Sequence, residues 1–307
     1  MKEERIDERR LYEREMAELG IDEEETDEEA VIYSYSQEET IAAISAYYTF
    51  LTQMYLEESQ VVYPPPGGWP EIVDADPAVL RSFGKSDEVI ALLAHLPYIR
   101  CSWEDSAQIS LGSAAANWPD LITLLSKPLP PGDTMTRAEE VRLYTEGTFY
   151  RISPPHVIGL IRNRDEAMVL DTKHGVIHWE DCPGRINYGG HCKVNIDWSE
   201  LDPDETVSQE EADWRYGATA WTVSDFFEVL KDQFIQLHWL PISSFSLRAF
   251  VDKDYHGEEG MMAMLRETYR KHGWPDLAVY RKSDCLKAVK KAMAEKYPDS
   301  VCYRTQD

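Results

Sequence analysis

One stretch of the chain concentrates the residue types that bind transition metals. It contains His174, His178, Cys182, His191 and Cys192. Zn²⁺ accepts imidazole and thiolate ligands, but residues 175–179 have the composition of a strand. Positions four apart in a strand lie ~13 Å from each other, so His174 and His178 cannot share an ion unaided. Cys182, His191 and Cys192 can converge through a loop. They define an alternative hypothesis for this chain, a hydrolase or transferase with a Cys/His site around residues 182–192, with or without zinc.

Two further motifs resemble ligand-binding loops but lack required residues. Phe83-Gly-Lys-Ser86 resembles the end of a phosphate-binding loop, yet Val79 stands where that loop needs glycine. The segment 252–257 begins like a calcium loop, yet His256 and Ala263 stand where oxygen ligands are needed. Consecutive His and Cys side chains diverge, so the Gly-Gly-His-Cys run does not suggest a catalytic pair. We therefore predict no catalytic residues, no bound metal and no cofactor.

Aromatic residues are abundant, with nine Trp and 17 Tyr. Most are expected to be core residues or loop anchors, because each buries a large area. Trp and Tyr in polar, acidic segments are instead typical of protein-binding surfaces. The predicted partner-binding residues are Trp179, Trp198, Trp214 and Tyr216.

Charge and composition narrow the class of protein. The chain has 31 Lys and Arg against 56 Asp and Glu, a net charge of −25, and 43% hydrophobic residues, which indicates a globular protein. The acidity argues against a nucleic-acid partner and favours a basic protein partner. No apolar run approaches the ~20 residues that span a bilayer, and the first residues lack the apolar core of a signal peptide. The five cysteines are few, odd in number and widely spaced, which indicates reduced thiols rather than a disulfide framework. We expect a cytoplasmic protein that does not bind membranes.

The spacing of apolar residues predicts helices at both ends of the chain. They are expected over residues 36–58, 86–96, 119–125, 137–144, 222–237, 258–271 and 284–296. Side chains at Ser36, Ser86, Thr222 and Ser283 are expected to cap four of them. The Tyr63-Pro-Pro-Pro-Gly-Gly-Trp-Pro70 segment reads as a rigid connector, because three consecutive prolines impose an extended path.

The middle of the chain has the pattern of strands. Short β-branched or aromatic runs occupy residues 149–152, 157–161, 167–170 and 175–179. Their connections are too short for helical crossovers, which predicts an antiparallel meander sheet. Residues 182–217 are polar and acidic and are expected to be a long structureless insertion. Helices, then strands, then helices indicate an α+β fold with the sheet flanked by helices.

Several short motifs resemble the SUKH superfamily, and its fungal branch in particular. They are Gly68-Trp-Pro-Glu-Ile72, residues 85–99, Pro155-His-Val-Ile, residues 167–177 and Thr222-Val-Ser-Asp-Phe-Phe-Glu-Val-Leu230. This superfamily contains bacterial toxin-immunity proteins and a fungal regulator of cell-wall assembly. The likeness is carried by the hairpin with Asp171 before its turn and by the closing Phe-Phe helix. The long insertion and the last two helices lie outside the family core.

The resemblance implies an organisation and a function. It predicts an acidic N-terminal extension over residues 1–35, a SUKH-like α+β domain over residues 36–240, and a C-terminal helical extension over residues 241–307. It also implies an intracellular protein-binding module without catalysis, which is either immunity-like or regulatory.

Overall fold

The structure is a computed structural model, and it describes residues 33–100, 106–129, 132, 134–187, 193–194, 208–243, 245–249 and 257–300. Helices and strands are mixed along these ranges, and every pair of neighbouring strands recorded there is antiparallel. The predicted α+β class is therefore confirmed.

The described helices begin mostly at residues whose side chains can cap them. Ser36, Ser86 and Thr222 each accept a hydrogen bond from the backbone N–H three residues later, which satisfies a donor that the first turn leaves unpaired. The predicted cap at Ser283 is wrong, since that helix begins at Lys282 without a side-chain cap. The described helices are α1 (Gln37–Met54), α2 (Pro70–Val73), α3 (Pro77–Phe83), α4 (Asp87–His95), α5 (Trp118–Leu125), α6 (Arg137–Glu146), α7 (Gly184–Asn187), α8 (Gln209–Gly217), α9 (Val223–Ile235), α10 (Met261–Lys271) and α11 (Lys282–Lys296).

The central sheet has four strands, which lie in the order Val157–Gly159, Met168–Asp171, Val176–Trp179 and Thr219–Thr222. The described strands are β1 (Val61–Val62), β2 (Tyr98–Ile99), β3 (Gln108–Ser110), β4 (Ser113–Ala115), β5 (Val157–Gly159), β6 (Ile161–Arg162), β7 (Met168–Asp171), β8 (Val176–Trp179), β9 (Thr219–Thr222), β10 (Trp239–Pro241) and β11 (Leu247–Ala249). The register pairs Val157 with Asp171 and His178 with Ala220. The meander prediction is confirmed for β5, β7 and β8, whereas β6 leaves this sheet to pair with β4.

The strand predicted over residues 149–152 is wrong. Gly147–Phe149 is a 3-10 turn, and the backbone N–H groups of Ile152 and Ser153 bond to the carbonyl of Phe149. Pro154 and Pro155 follow directly and have no N–H to donate to a sheet. The segment therefore closes on itself as turns.

Part of the predicted structureless insertion is helical. Residues 209–217 form α8, whose N-terminus is capped by Ser208 accepting from the N–H of Glu211 at 3.1 Å. The prediction of a structureless segment is wrong for these residues, where a cap and tertiary contacts replace the missing apolar periodicity. It is also wrong for residues 184–187, which form α7. Residues 188–192 and 195–207 of the insertion lie outside the described residues.

One hydrophobic core is shared by the early helices, the sheet and the last helices. α1 packs against α9, and Trp179, Trp221 and Phe226 fill the space between α9 and the sheet. Buried residues of α10 and α11 belong to the same core. Trp274 Nε1 donates to the carbonyl of Phe234 at 3.0 Å, which ties this C-terminal segment to α9. The domain boundaries at residues 35 and 240 stay predictions.

None of the helices in the described ranges has both the length and the apolar character needed to cross a membrane.

Candidate functional site

The site is built around the turn that joins β7 to β8. Asp171 ends β7, and its Oδ1 accepts from the backbone N–H groups of Lys173 at 2.9 Å and His174 at 3.1 Å. Gly175 closes the turn with φ +68°, a conformation that other residues rarely adopt. A Cβ at Gly175 would lie 2.5 Å from the carbonyl oxygen of Ser34. The turn is therefore fixed both by the Asp171 carboxylate and by close backbone packing.

The Asp171 carboxylate is fully buried and surrounded by basic groups. Its Oδ2 accepts from Arg215 Nη1 at 2.6 Å and lies 2.8 Å from His174 Nδ1, while His156 Nε2 lies 3.8 Å from Oδ1. Burial alone would raise the pKa of Asp171. The hydrogen bond from His174 and the charge of Arg215 outweigh burial and hold that pKa well below its usual range.

Arg215 reaches this carboxylate from α8, and its own side chain is buried. Its Nη2 lies 2.9 Å from Glu211 Oε1 on the same helix. The guanidinium also sits over the Trp214 ring, 4.8 Å from the ring centroid, and Trp214 packs edge-on against His178. These contacts dock α8 on the sheet. We call His156, Asp171, His174, His178, Glu211 and Arg215 the Asp171 cluster.

The cluster has one arrangement that resembles a metal site. Ligand atoms of His156, Asp171 and His174 lie within 4.8 Å of one another, and such ligands suit Zn²⁺. Arg215, however, occupies Oδ2 of Asp171 with a positive charge, and its Nη2 lies 3.5 Å from His156 Nε2. A cation would have to displace the guanidinium before it could use this carboxylate oxygen. As it stands, the cluster is an ion network in which Arg215 pairs with the carboxylates of Asp171 and Glu211.

His178 lies on β8 beneath Arg215, with its Nε2 3.4 Å from Arg215 Nη1. Burial, reinforced by the charge of Arg215, lowers the pKa of His178 to about 3. The pKa of His156 is also lowered, chiefly by burial. The imidazole of His178 is therefore neutral at neutral pH and cannot serve as a charged ligand for an anion.

The structure describes three of the four predicted partner-binding residues, of which two are buried and one is exposed. Trp179 and Trp214 are buried, with exposed fractions of 1% and 4%, so their prediction as surface residues is wrong. Trp179 points from the central strand into the core and donates from Nε1 to Glu166 Oε1 at 2.9 Å. Tyr216 is 59% exposed. Trp198 lies outside the described residues.

The exposed side of α8 combines an aromatic ring with acidic groups. Glu210, Asp213 and Tyr216 are all exposed and lie three residues apart, so they share one face of the helix. We call these three residues the outer face of α8. The inner face is the one that Trp214 and Arg215 bury against the sheet. The ion network thus fixes the helix that presents Tyr216 to solvent.

The alternative Cys/His site has one member among the described residues. Cys182 is partly buried, and burial raises the pKa of its thiol to about 12. A thiol with that pKa is protonated at neutral pH and is a weak nucleophile and metal ligand. His191 and Cys192 lie outside the described residues.

The residues that hold the site together were not predicted as such. Arg215 lies 44 residues from Asp171 in sequence, and no spacing rule links them. A signal for α8 itself was present, since Ser208 and Glu211 have capping spacing and Arg215 follows Glu211 by four residues. Lys85, the lysine of the phosphate-loop-like motif, forms a buried ion pair with Glu146 at 2.6 Å.

Comparison with family models, with curated proteins and with solved structures found no match to this chain. The class defined by fold and site is an α+β protein in which a buried ion network docks a surface helix.

Proposed function

We propose that this chain is a non-enzymatic, cytoplasmic protein-binding module of the SUKH type, immunity-like or regulatory, that binds a basic protein through the outer face of α8. The observation that carries the proposal is the exposure of Tyr216 on a helix whose opposite face is anchored by Arg215 and Trp214. A tyrosine held on a fixed helix loses little conformational freedom on binding, which makes it an effective contact residue.

Charge supports a basic protein as the partner. Glu210 and Asp213 precede Tyr216 on the same face of α8, and the whole chain carries a net charge of −25. Complementary charge accelerates association and suppresses wrong partners. The negative charge of the chain also disfavours nucleic acid as a partner, because it would repel the phosphates.

The chemistry of the described residues supports a binding role over the alternative enzyme. The Asp171 oxygens are engaged by Arg215, by two backbone N–H groups and by His174, so that carboxylate is not poised to activate a nucleophile. The raised pKa of Cys182 likewise disfavours a thiolate. The first observation concerns the Asp171 cluster, and the second concerns Cys182, the described member of the alternative Cys/His site.

The experiment compares partner capture by the wild-type chain and by three variants. Tyr216→Ala and the charge reversal Glu210→Lys/Asp213→Lys alter the outer face of α8. Glu295→Lys is the matched control, because Glu295 is 61% exposed on α11. Captured proteins are quantified by mass spectrometry, and the leading one is purified and titrated against each variant.

We expect a basic partner that binds the wild type and Glu295→Lys equally. Binding should fall at least ~10-fold for Tyr216→Ala, which is typical of an aromatic hot spot, and should weaken steeply on raising the salt to ~0.5 M. A partner that binds Tyr216→Ala as well as wild type, or that is indifferent to salt, would contradict the proposal.

A further inference from the structure

A second exposed tyrosine lies in the proline-rich connector, far along the chain from α8. Tyr63 is 57% exposed, and Pro65 and Pro66 after it are exposed as well. Tyr63, Pro64 and Pro65 each precede a proline, which disfavours the helical region for all three and favours extended or polyproline II conformations. The three prolines also fix their own φ angles near −65°. This segment is therefore a short, stiff, extended stretch on the protein surface, and it ends in a turn at Pro66 and Gly67.

Both ends of the segment are fixed by backbone hydrogen bonds. Before it, β1 pairs with β2 through Val61 and Val62. After it, the backbone N–H of Gly68 donates to the carbonyl of Pro65 at 2.9 Å, and the backbone N–H of Trp69 donates to the carbonyl of Ala94 at 2.9 Å. The indole Nε1 of Trp69 adds a side-chain hydrogen bond to the carbonyl of Leu96 at 2.8 Å. The extended conformation is thus formed before any partner arrives, so binding costs little ordering entropy.

Gly68, directly after the turn, is closely packed against its neighbours. Gly68 has φ +96°, and a Cβ there would lie 2.9 Å from the carbonyl oxygen of Ala94 and 3.1 Å from Cγ1 of Val73. Val73 is itself 49% exposed, so the apolar surface of the segment continues onto α2.

Acidic side chains flank the segment on both sides in the chain. Glu57 and Glu58 precede it and Glu71 and Asp74 follow it, and all four are exposed. A complementary groove would combine apolar rings for the prolines and the tyrosine with basic groups at its rim.

We propose that Tyr63–Pro66 is a preformed polyproline II ligand for a proline-recognition domain with an aromatic-lined groove and a basic rim. Domains of this kind exploit the low conformational entropy of polyproline II segments, whose rings pack between aromatic side chains. This surface goes beyond the proposed function, since it involves neither α8 nor the Asp171 cluster.

The test is a calorimetric titration of the full chain with purified SH3, WW and EVH1 domains, each fold being represented by members with basic rims and members with acidic rims. The variants are Tyr63→Ala and Pro65→Ala. Tyr144→Ala is the matched control, because it removes another exposed tyrosine, on α6, that belongs to neither proposed surface. Thermal unfolding of each variant verifies that the fold is retained, which the exposure of Tyr63 leads us to expect.

We expect at least one basic-rim domain to bind the wild type and Tyr144→Ala alike, with acidic-rim domains at least ~10-fold weaker. Tyr63→Ala and Pro65→Ala should each weaken binding at least ~10-fold. The proposal is overturned if no domain binds more tightly than ~1 mM, if acidic-rim domains bind best, or if Tyr63→Ala binds as wild type. Self-association abolished by Tyr63→Ala would also overturn it, by identifying a second copy as the occupant. Because Tyr63 and Tyr216 belong to different surfaces and are altered in separate experiments, the two failures are distinguishable.

Discussion

Replacing Arg215 with methionine removes a positive charge from the Asp171 cluster while keeping much of the side-chain length. In the wild type, the Arg215 guanidinium bonds Asp171 Oδ2 at 2.6 Å and Glu211 Oε1 at 2.9 Å, and it covers the Trp214 ring. The substitution leaves the Asp171 carboxylate, which has no solvent exposure, without this compensation. We therefore expect a large loss of stability and a looser α8.

The magnitude follows from burial. Removing one partner of a buried ion pair costs about 3–5 kcal/mol. Asp171 keeps two backbone N–H donors and the contact with His174, so the lower end, about 3 kcal/mol, is expected for Arg215→Met. At about 2–4 °C per kcal/mol, the midpoint of thermal unfolding should fall by about 6–12 °C.

The assay is urea unfolding near neutral pH, arranged as a double-mutant cycle. Asp171→Asn is the second single variant, because asparagine keeps the oxygen that accepts from Lys173 and His174 while losing the charge. The double variant Arg215→Met/Asp171→Asn should be more stable than the sum of the single effects predicts, by at least about 1.5 kcal/mol. Lys291→Met is the control, because Lys291 Nζ and Glu295 Oε1 form an ion pair at 3.9 Å in which both side chains are largely exposed. Such exposed pairs contribute about 0.5 kcal/mol or less to stability.

Two results would refute this reasoning. The first is an Arg215→Met variant within about 1 kcal/mol of wild type, which would mean that solvent reaches the cluster. The second is additivity of the two substitutions within about 0.5 kcal/mol, which would mean that the charges do not act on each other.

Three further predictions follow from particular side chains. The pKa of His178 is lowered from 6.5 to about 3, so between these pH values the unfolded state binds more protons than the folded state, and stability falls on acidification. Urea unfolding at several pH values should show the wild type losing up to about 1.4 kcal/mol of stability per pH unit relative to His178→Gln. Equal pH dependence of the two proteins would contradict this prediction. Gly159→Ala should lower the free energy of unfolding in urea by about 3 kcal/mol or more, because the new Cβ would lie 2.0 Å from the carbonyl oxygen of Thr145. Gly217→Ala is the control and should change that free energy by about 1 kcal/mol or less, because Gly217 has open space around it. Similar losses for both variants would contradict the close packing at Gly159. Cys182, with its pKa raised to about 12, should react with iodoacetamide far more slowly in the folded chain than in urea, as mapped by mass spectrometry, and equal rates would show that the thiol is accessible and ionised.

Local rules predicted the elements that local interactions stabilise. α1, α4 and α9 follow the spacing of their apolar residues, and Ser36, Ser86 and Thr222 cap them as expected. The β7–β8 hairpin was predicted because its turn is short and its strands are β-branched. These signals lie within a few residues of the structures they specify, so one sequence suffices to read them.

The site depended on contacts that no local pattern encodes. α8 contains few apolar residues, and its stability comes from a cap at Ser208 and from the docking of Trp214 and Arg215 on strands far away in sequence. The same docking explains why Trp214 was expected on the surface, as its neighbours in sequence are acidic whereas its neighbours in space are Phe149 and His178. The spacing of apolar residues cannot predict a helix that is anchored by one arginine and one tryptophan.

Burial of cations also determines what the surface presents to a partner. Lys85 and Arg215 are both buried against carboxylates, Lys85 with Glu146 and Arg215 with Asp171. Each pair is close to neutral, so neither contributes to the net charge of −25, which must be carried by other side chains.

Charge attracts basic molecules in general and cannot by itself choose among them. Selectivity must then come from shape, and the chain offers two shapes in acidic surroundings: a tyrosine on a docked helix at residue 216 and a tyrosine leading an extended proline run at residue 63. A helix face and a polyproline II segment fit different grooves, so two partners of similar charge could be bound at the two surfaces without competing for the same residues.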